Sequence, residues 1–349
     1  MEINKNMLEK ASENGILSGD QVALLWSFLG ESNKEKPHFS FVHVLYYLGG
    51  LIAISAMSLF MTIGWERFGG WGIFFISLAY AAAGIGLTEF FLYRKELRIP
   101  AGITAAFVVA LAPLAIYGLQ KALGLWVDGE YYAGYHIFVD WRWMLMELGT
   151  LACGAVMFWR YRLPFLVMPI AATLWYMSMD LAPTLQFILT GEDSGSSWEL
   201  RRIVSLYFGL VMMMLALWVD IKNRSDRDFA FWLYVFGVAT FWGGLSFMDS
   251  SSQLDKFIYF CLNLLMIFVG AMLSRRVFAV FGALGVYGYL GYLSYSVFED
   301  SLLFPFSLTG IGLGVIIAGV RWQKNEDAIG AYCRSFLPAS IRDMIERRQ

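Results

Sequence analysis

The stretch IPAGITAAFVVALAPLAIYGLQ, residues 99–120, carries no charged side chain over its whole length. A helix needs about 20 predominantly apolar residues to cross the hydrocarbon core of a bilayer. The whole chain shares this bias. Hydrophobic residues make up 58% of it and charged residues 15%, whereas a soluble domain has about 25% charged residues. The composition predicts an all-α, polytopic membrane protein.

Ten segments of this kind follow one another along the chain. They are 43–63, 71–93, 99–120, 143–159, 164–189, 202–220, 229–248, 256–273, 276–297 and 303–321. If the N-terminus is cytoplasmic, 20 of the 26 Lys and Arg residues fall in cytoplasmic parts of the chain. Lys and Arg near membrane spans favour the cytoplasmic side. The pattern therefore predicts a bundle of about ten transmembrane helices with both termini in the cytoplasm.

Two polar regions flank the predicted bundle, which covers residues 43–321. Residues 1–36 predict a cytoplasmic helical hairpin, in which Ser18 and Gln21 have the spacing of a capping box. Residues 322–349 mix apolar side chains with arginines, as is typical of a basic amphipathic tail at an anionic leaflet. The hairpin either rests on the membrane or the bundle, or docks a cytoplasmic protein.

The stretch YYLGGLIAISAMSLFMTIGWERFGGWG, residues 46–72, follows the polar hairpin. A hairpin followed by a Leu-Gly span that ends in a Trp resembles the bacterial inner-membrane proteins in family 2157 of the domains of unknown function. The resemblance covers roughly the first hundred residues and rests on Leu48, Gly49 and Trp65. It implies a location in the bacterial cytoplasmic (inner) membrane. The family has no established activity, so no catalytic residue is carried over.

Acidic residues inside the apolar segments are the candidates for chemistry. Glu147 lies in the fourth segment and Asp180 in the fifth. A charge at bilayer depth is disfavoured by about 2.5–3.5 kcal/mol, so such a group protonates, finds a cation or faces water. Because the two segments are consecutive and antiparallel, we expect both carboxyls at similar heights, in one proton- or cation-handling site. The alternative is that Asp180 pairs with Arg142 or Arg201, or reaches water.

Two further residues bear on this hypothesis. Glu89 is a third candidate for handling a proton or cation, and its alternative is an interfacial ion pair with Arg94 or Lys95. Pro183 cannot donate a hydrogen bond to the carbonyl of Met179, which predicts a kink or break in the fifth segment. Broken helices with exposed carbonyls form the binding sites of many transporters.

Glycines recur at helical spacing in the last two segments. Missing side chains let helix backbones approach closely in lipid, so these glycines predict helix packing. They are Gly282, Gly285, Gly288, Gly291, Gly310 and Gly314. A sliding surface for alternating access is the second interpretation.

The sequence contains no P-loop, no His-Glu-x-x-His and no Gly-x-Ser-x-Gly. Histidines and cysteines are too scattered for a metal, and no basic domain favours nucleic acid, so we expect no cofactor, metal or nucleic-acid partner. Topology and Asp180 favour a proton- or cation-coupled transporter of a small solute. The alternatives are a non-enzymatic sensor or scaffold and an intramembrane enzyme acting on lipid. The oligomeric state is left open.

Overall fold

The structure is a computed structural model of the 349-residue chain. It describes residues 16–22, 41–64, 68–126, 141–190, 198–223, 227–248 and 252–293, together with a few single residues outside these ranges. The chain divides into two compact units, Met1–Leu51 and Ile52–Gln349. The boundary between them falls inside the first long helix.

Helices account for nearly all of the described residues. They are α1 Phe41–Gly64, α2 Gly69–Glu89, α3 Arg98–Ala122, α4 Trp141–Tyr161, α5 Val167–Thr190, α6 Trp198–Lys222, α7 Ala230–Ser246, α8 Gln253–Met272 and α9 Arg276–Tyr292. A π-helical turn, Phe90–Arg94, extends α2, and a 3-10 turn, Pro164–Leu166, precedes α5. No strand occurs in the described ranges, so the prediction of an all-α fold is confirmed.

Each of the first nine predicted segments corresponds to one of these helices, and the tenth lies largely outside the described residues. Among the described residues, four helices are long and apolar enough to cross a membrane. They are Gly69–Arg94, Arg98–Ala122, Glu199–Lys222 and Gln253–Met272. The chain is therefore compatible with a membrane-embedded protein. The count of ten crossings and the cytoplasmic placement of both termini stay predictions.

In the first unit, the capping box is formed. The Ser18 backbone N–H donates to Gln21 Oε1 at 2.9 Å, and the Gln21 N–H donates to Ser18 Oγ at 3.3 Å. These reciprocal bonds satisfy N–H groups that have no partner within a helix. Leu8 and Val22 are buried. Most of the predicted hairpin, like most of the tail 322–349, lies outside the described residues.

In the second unit, glycines hold three helical pairs in close contact: α2 with α3, α6 with α7, and α8 with α9. A Cβ added to Gly118 would lie 2.7 Å from the backbone N of Phe74. At Gly237 it would lie 2.9 Å from the N of Met213, and at Gly270 2.8 Å from the N of Ala279. Real Cβ atoms do not approach backbone so closely, so glycine sets the separation of each pair.

The pair α4–α5 links the first of these pairs to the second. Phe165, in the turn between α4 and α5, lies with its Cβ 2.8 Å from the position of a Cβ added to Gly102 of α3. On its other side, the Phe165 ring meets the ring of Trp232 of α7 edge-to-face, with 5.0 Å between centroids. One aromatic side chain therefore joins α3 and α7 through the α4–α5 turn.

Four connections meet at one end of this bundle, which we call the basic end. They are the connections 94–98, 161–164, 222–230 and 272–276. Arg160 donates to Tyr93 Oη at 2.9 Å, Arg227 donates to the carbonyl of Arg162 at 3.0 Å, and Arg275 bonds Asp228. The charge pattern predicts all four on one side of the membrane, and in the structure they lie together.

Three turns at the basic end use a left-handed residue other than glycine. The φ angles are +55° at Glu96, +50° at Arg162 and +53° at Ser274. At Ser274 the chain closes the C-terminus of α8, and the N–H of Arg275 donates to the carbonyl of Gly270 at 2.9 Å. Glycine is the usual residue at this position of a helix C-cap because a Cβ is strained there.

We therefore expect Ser274→Gly to raise the free energy of unfolding by up to about 1 kcal/mol, through relief of this strain. Ser274→Ala is the matched control, since it keeps a Cβ in the left-handed conformation, and it should bring no gain. Unfolding of the purified protein by SDS measures both. A gain of equal size in both variants would mean that the hydroxyl, and not the backbone conformation, limits stability here.

Candidate functional site

Two of the three candidate carboxylates are buried in the helical bundle. Glu147, in the second turn of α4, is 6% exposed, and Asp180, on α5, is 8% exposed. Both make interactions with other groups of the chain. Burial of a carboxylate in an apolar setting is costly unless other groups compensate it.

A contact between α4 and α5 sets the relative heights of the two carboxylates. A Cβ added to Gly154 of α4 would lie 2.8 Å from Cγ1 of Ile170 on α5. Glu147 lies seven residues before Gly154, and therefore on the same face of α4. The helices are antiparallel, so the residue seven positions after Ile170, Met177, stands opposite Glu147. Asp180 is three residues further, a height difference of about 4.5 Å at 1.5 Å per residue.

The contact between α5 and α6 brings a buried arginine to the same level. Trp175 Nε1 donates to Ser205 Oγ at 3.4 Å, and the Ser205 hydroxyl contacts Met179 Sδ at 3.2 Å. Arg201 lies one helical turn before Ser205 on α6 and is 7% exposed. Since α5 and α6 run in opposite directions, this turn places Arg201 level with Asp180.

Neutral polar side chains complete a buried polar layer in this half of the bundle. Its members come from α3, α4, α5 and α6 and are Gln120, Glu147, Thr150, Asp180, Arg201 and Ser205. Gln120 donates to the carbonyl of Arg142 at 3.0 Å and accepts from Trp126 Nε1 at 3.2 Å. Fully ionised, the layer contains two carboxylates and one guanidinium. The formal charges of these six side chains then sum to one negative charge.

The remaining predicted site residues lie elsewhere. The Glu89 side chain is 48% exposed at the basic end, where it accepts from Tyr161 Oη at 3.2 Å and lies 3.8 Å from Arg160 Nη2. The alternative that paired Glu89 with Arg94 or Lys95 is wrong, because the partner of Glu89 is Arg160 of α4. The break predicted at Pro183 is wrong, since α5 runs as one helix from Val167 to Thr190, and a proline removes only one backbone hydrogen bond of a helix. A kink at Pro183 stays a prediction.

The six predicted glycines fall into two groups. A Cβ added to Gly282 would lie 2.6 Å from the carbonyl oxygen of Asn263 on α8, and one added to Gly285 would overlap the Asn263 carboxamide. The other four have no neighbour within 4 Å of an added Cβ among the described residues. These four are Gly288, Gly291, Gly310 and Gly314.

A buried ionic network at the basic end had no counterpart in the sequence analysis. Arg275 Nη2 donates to Asp220 Oδ2 at 2.7 Å, and Arg275 Nη1 donates to Asp228 Oδ2 at 2.5 Å. The guanidinium lies 4.8 Å from the centroid of the Tyr234 ring. Burial opposes the charge on Arg275, but the hydrogen bonds and charges of Asp228 and Asp220 outweigh it and raise its pKa. The short connections 222–230 and 272–276 were the only signal in the sequence.

No protein-family model, no curated protein and no solved structure matches the chain. Its class therefore rests on its own features. It is an all-helical protein that has, among the described residues, four helices able to cross a membrane and several buried charged side chains.

Proposed function

We propose that this protein is a membrane transporter that couples the movement of a small solute to a proton or cation. Glu147 and Asp180 carry that proton or cation. The observation that supports this most is the burial of both carboxylates on neighbouring antiparallel helices, within one helical turn of each other in height. Ionisable groups inside membrane segments commonly mark the path of an ion or proton.

Charge balance favours a cationic coupling species. Arg201 compensates one of the two carboxylates when both are ionised, which leaves one negative charge in the buried polar layer. A proton or a monovalent cation neutralises that charge, and its release restores it. A site that alternates between these two states in a region of low dielectric has the electrostatics of a coupled transporter.

The proposed setting is the cytoplasmic membrane of a bacterium, with the basic end of the bundle in the cytoplasm. Lys and Arg in short connections favour that side during insertion. The same proposal includes membership of family 2157 of the domains of unknown function, which the first hundred residues resemble. A sensor or scaffold that docks a cytoplasmic protein through residues 1–36 and the C-terminal tail is the alternative, and it requires no ion movement.

Proteoliposomes test the proposal. A panel of small solutes is applied outside vesicles, and the movement of protons or of sodium into the vesicles is measured, with a pH-sensitive dye for protons. We expect the panel to include one solute that drives such movement. Asp180→Asn and Glu147→Gln should each abolish this movement, because an amide neither binds and releases a proton nor supplies the negative charge that binds a cation. Asp255→Asn is the matched control, as Asp255 is an exposed acid in the first turn of α8, and it should transport normally.

Uptake at the normal rate in Asp180→Asn would remove Asp180 from the mechanism. Normal uptake in Glu147→Gln as well would mean that neither buried carboxylate takes part in the mechanism. The elution profile and melting temperature of each variant establish that it is folded. A panel without any solute-driven ion movement in the wild-type protein would favour the sensor or scaffold.

A further inference from the structure

The basic end has an unusual surface where α2 and α4 finish. The π-helical turn Phe90–Arg94 is closed by the N–H of Lys95, which donates to the carbonyl of Phe90 at 3.2 Å. Glu96 follows in the left-handed conformation. π-helical turns are rare and occur often at functional sites, because they alter the direction of the side chains that follow. Here the turn presents Tyr93 to Arg160 of α4.

Arg160 is held in place but remains accessible. Its Nη1 donates to Tyr93 Oη at 2.9 Å, and its guanidinium stacks on the Tyr161 ring, 5.2 Å from the centroid. Glu89 Oε1 lies 3.8 Å from Nη2, and 53% of the Arg160 side chain is exposed. A guanidinium has five N–H donors, and the bond to Tyr93 uses one of them. The arginine is therefore oriented, with donor capacity left for a ligand.

The surroundings of Arg160 are both basic and apolar. Lys95 stands over the Phe90 ring at 5.8 Å, and Arg94 and Arg162 are exposed nearby in the chain. Glu89 and Glu96 offset part of this charge, so the six charged side chains where α2 and α4 end, including Arg160, sum to a positive charge. Trp159, the residue before Arg160, is 76% exposed. Exposed Trp and Tyr beside snorkelling cations are typical of the boundary between headgroups and acyl chains.

We propose that this surface binds the headgroup of an anionic phospholipid. Arg160 and Lys95 contact the phosphate, and Tyr93 and Trp159 lie at the level of the glycerol backbone. The acyl chains follow the exposed apolar side chains of the two helices, Leu87 on α2 and Val156 on α4. Charge complementarity identifies the headgroup, and the continuous apolar faces of α2 and α4 favour a lipid over a soluble phosphate. The inference is independent of any transport activity.

Lipid titration of the purified protein tests this. We expect phosphatidylglycerol, added to the detergent-solubilised protein, to be retained in native mass spectra and to raise the melting temperature more than phosphatidylcholine does. Arg160→Gln should weaken the retention of phosphatidylglycerol by about fivefold, the effect of one basic residue near an anionic surface. Arg160→Lys, which keeps the charge, should restore most of it.

Arg276→Gln is the matched control, because Arg276 is an exposed arginine at the same end of the bundle, in the first turn of α9. It should change phosphatidylglycerol binding less than twofold. An equal loss in both variants, or no loss in Arg160→Gln, would overturn the site. Stabilisation by glycerol phosphate alone to the same extent as by the lipid would overturn its assignment to a phospholipid. Because Arg160 is exposed, the variant is expected to fold, and its melting temperature without lipid checks this.

Discussion

Asp220→Ala should lower the free energy of unfolding by about 3–5 kcal/mol, the effect of removing one partner from a buried ion pair. The Asp220 side chain is 1% exposed and that of Arg275 is 6% exposed, with 2.7 Å between Oδ2 and Nη2. Without Asp220, the guanidinium stays buried against the Tyr234 ring with only one carboxylate beside it. SDS unfolding of the purified protein, followed by tryptophan fluorescence, measures the loss.

Asp228→Ala provides the comparison for this prediction. Asp228 bonds the same arginine, but 41% of its side chain is exposed, so water can replace it. Exposed ion pairs contribute about 1 kcal/mol or less, and we expect a loss in that range. Equal losses in the two variants would show that burial does not govern this network. The double variant Asp220→Leu with Arg275→Met should recover part of the stability, since an apolar pair carries no desolvation penalty.

Gly282→Ala should be the most damaging single-methyl substitution in α9, at about 1–3 kcal/mol, the usual effect of adding volume to a packed interface. The added Cβ would lie 2.6 Å from the carbonyl oxygen of Asn263 and 3.1 Å from the backbone N of Ile267. Backbone atoms of α8 cannot rotate away as a side chain can, so the two helices must separate.

Gly288→Ala, six residues further along α9, is the matched control. A Cβ at Gly288 meets no described atom within 4 Å, so we expect no loss of stability. The higher helix propensity of alanine should instead raise the free energy of unfolding by up to about 1 kcal/mol. The two variants are compared by the SDS concentration at the unfolding midpoint. A loss at Gly288 as large as that at Gly282 would indicate a neighbour for Gly288, such as a second copy of the chain.

Helix positions followed from local properties of the sequence. An apolar run long enough for a helix and bounded by charged residues is visible without any knowledge of neighbours, and α3 is a clear case, predicted at 99–120 and observed at Arg98–Ala122. The division between α8 and α9 was visible for the same reason, because two arginines interrupt the apolar sequence there.

Contacts between helices could not be predicted from local properties of the sequence. The glycines of α9 share one spacing, yet only Gly282 and Gly285 face α8, because contact depends on the crossing point of the two helices. Glu147 and Asp180 were recognisable because a charge in an apolar segment is costly. Ser205 and Gln120 belong to the same buried layer but were missed, since neutral polar residues are common in helices and give no signal by themselves.

The short turns at the basic end restrict how the bundle can move. Only three residues, Leu273–Arg275, separate α8 from α9, and α4 is joined to α5 almost as directly. Two helices joined by so short a turn are held together at the joined ends, whereas their opposite ends are not linked directly to each other. Glu147 lies in the second turn of α4, near the end of that helix opposite the α4–α5 turn. The buried carboxylates therefore lie toward the end of the bundle that faces away from the α4–α5 turn, where Phe165 packs between Gly102 and Trp232.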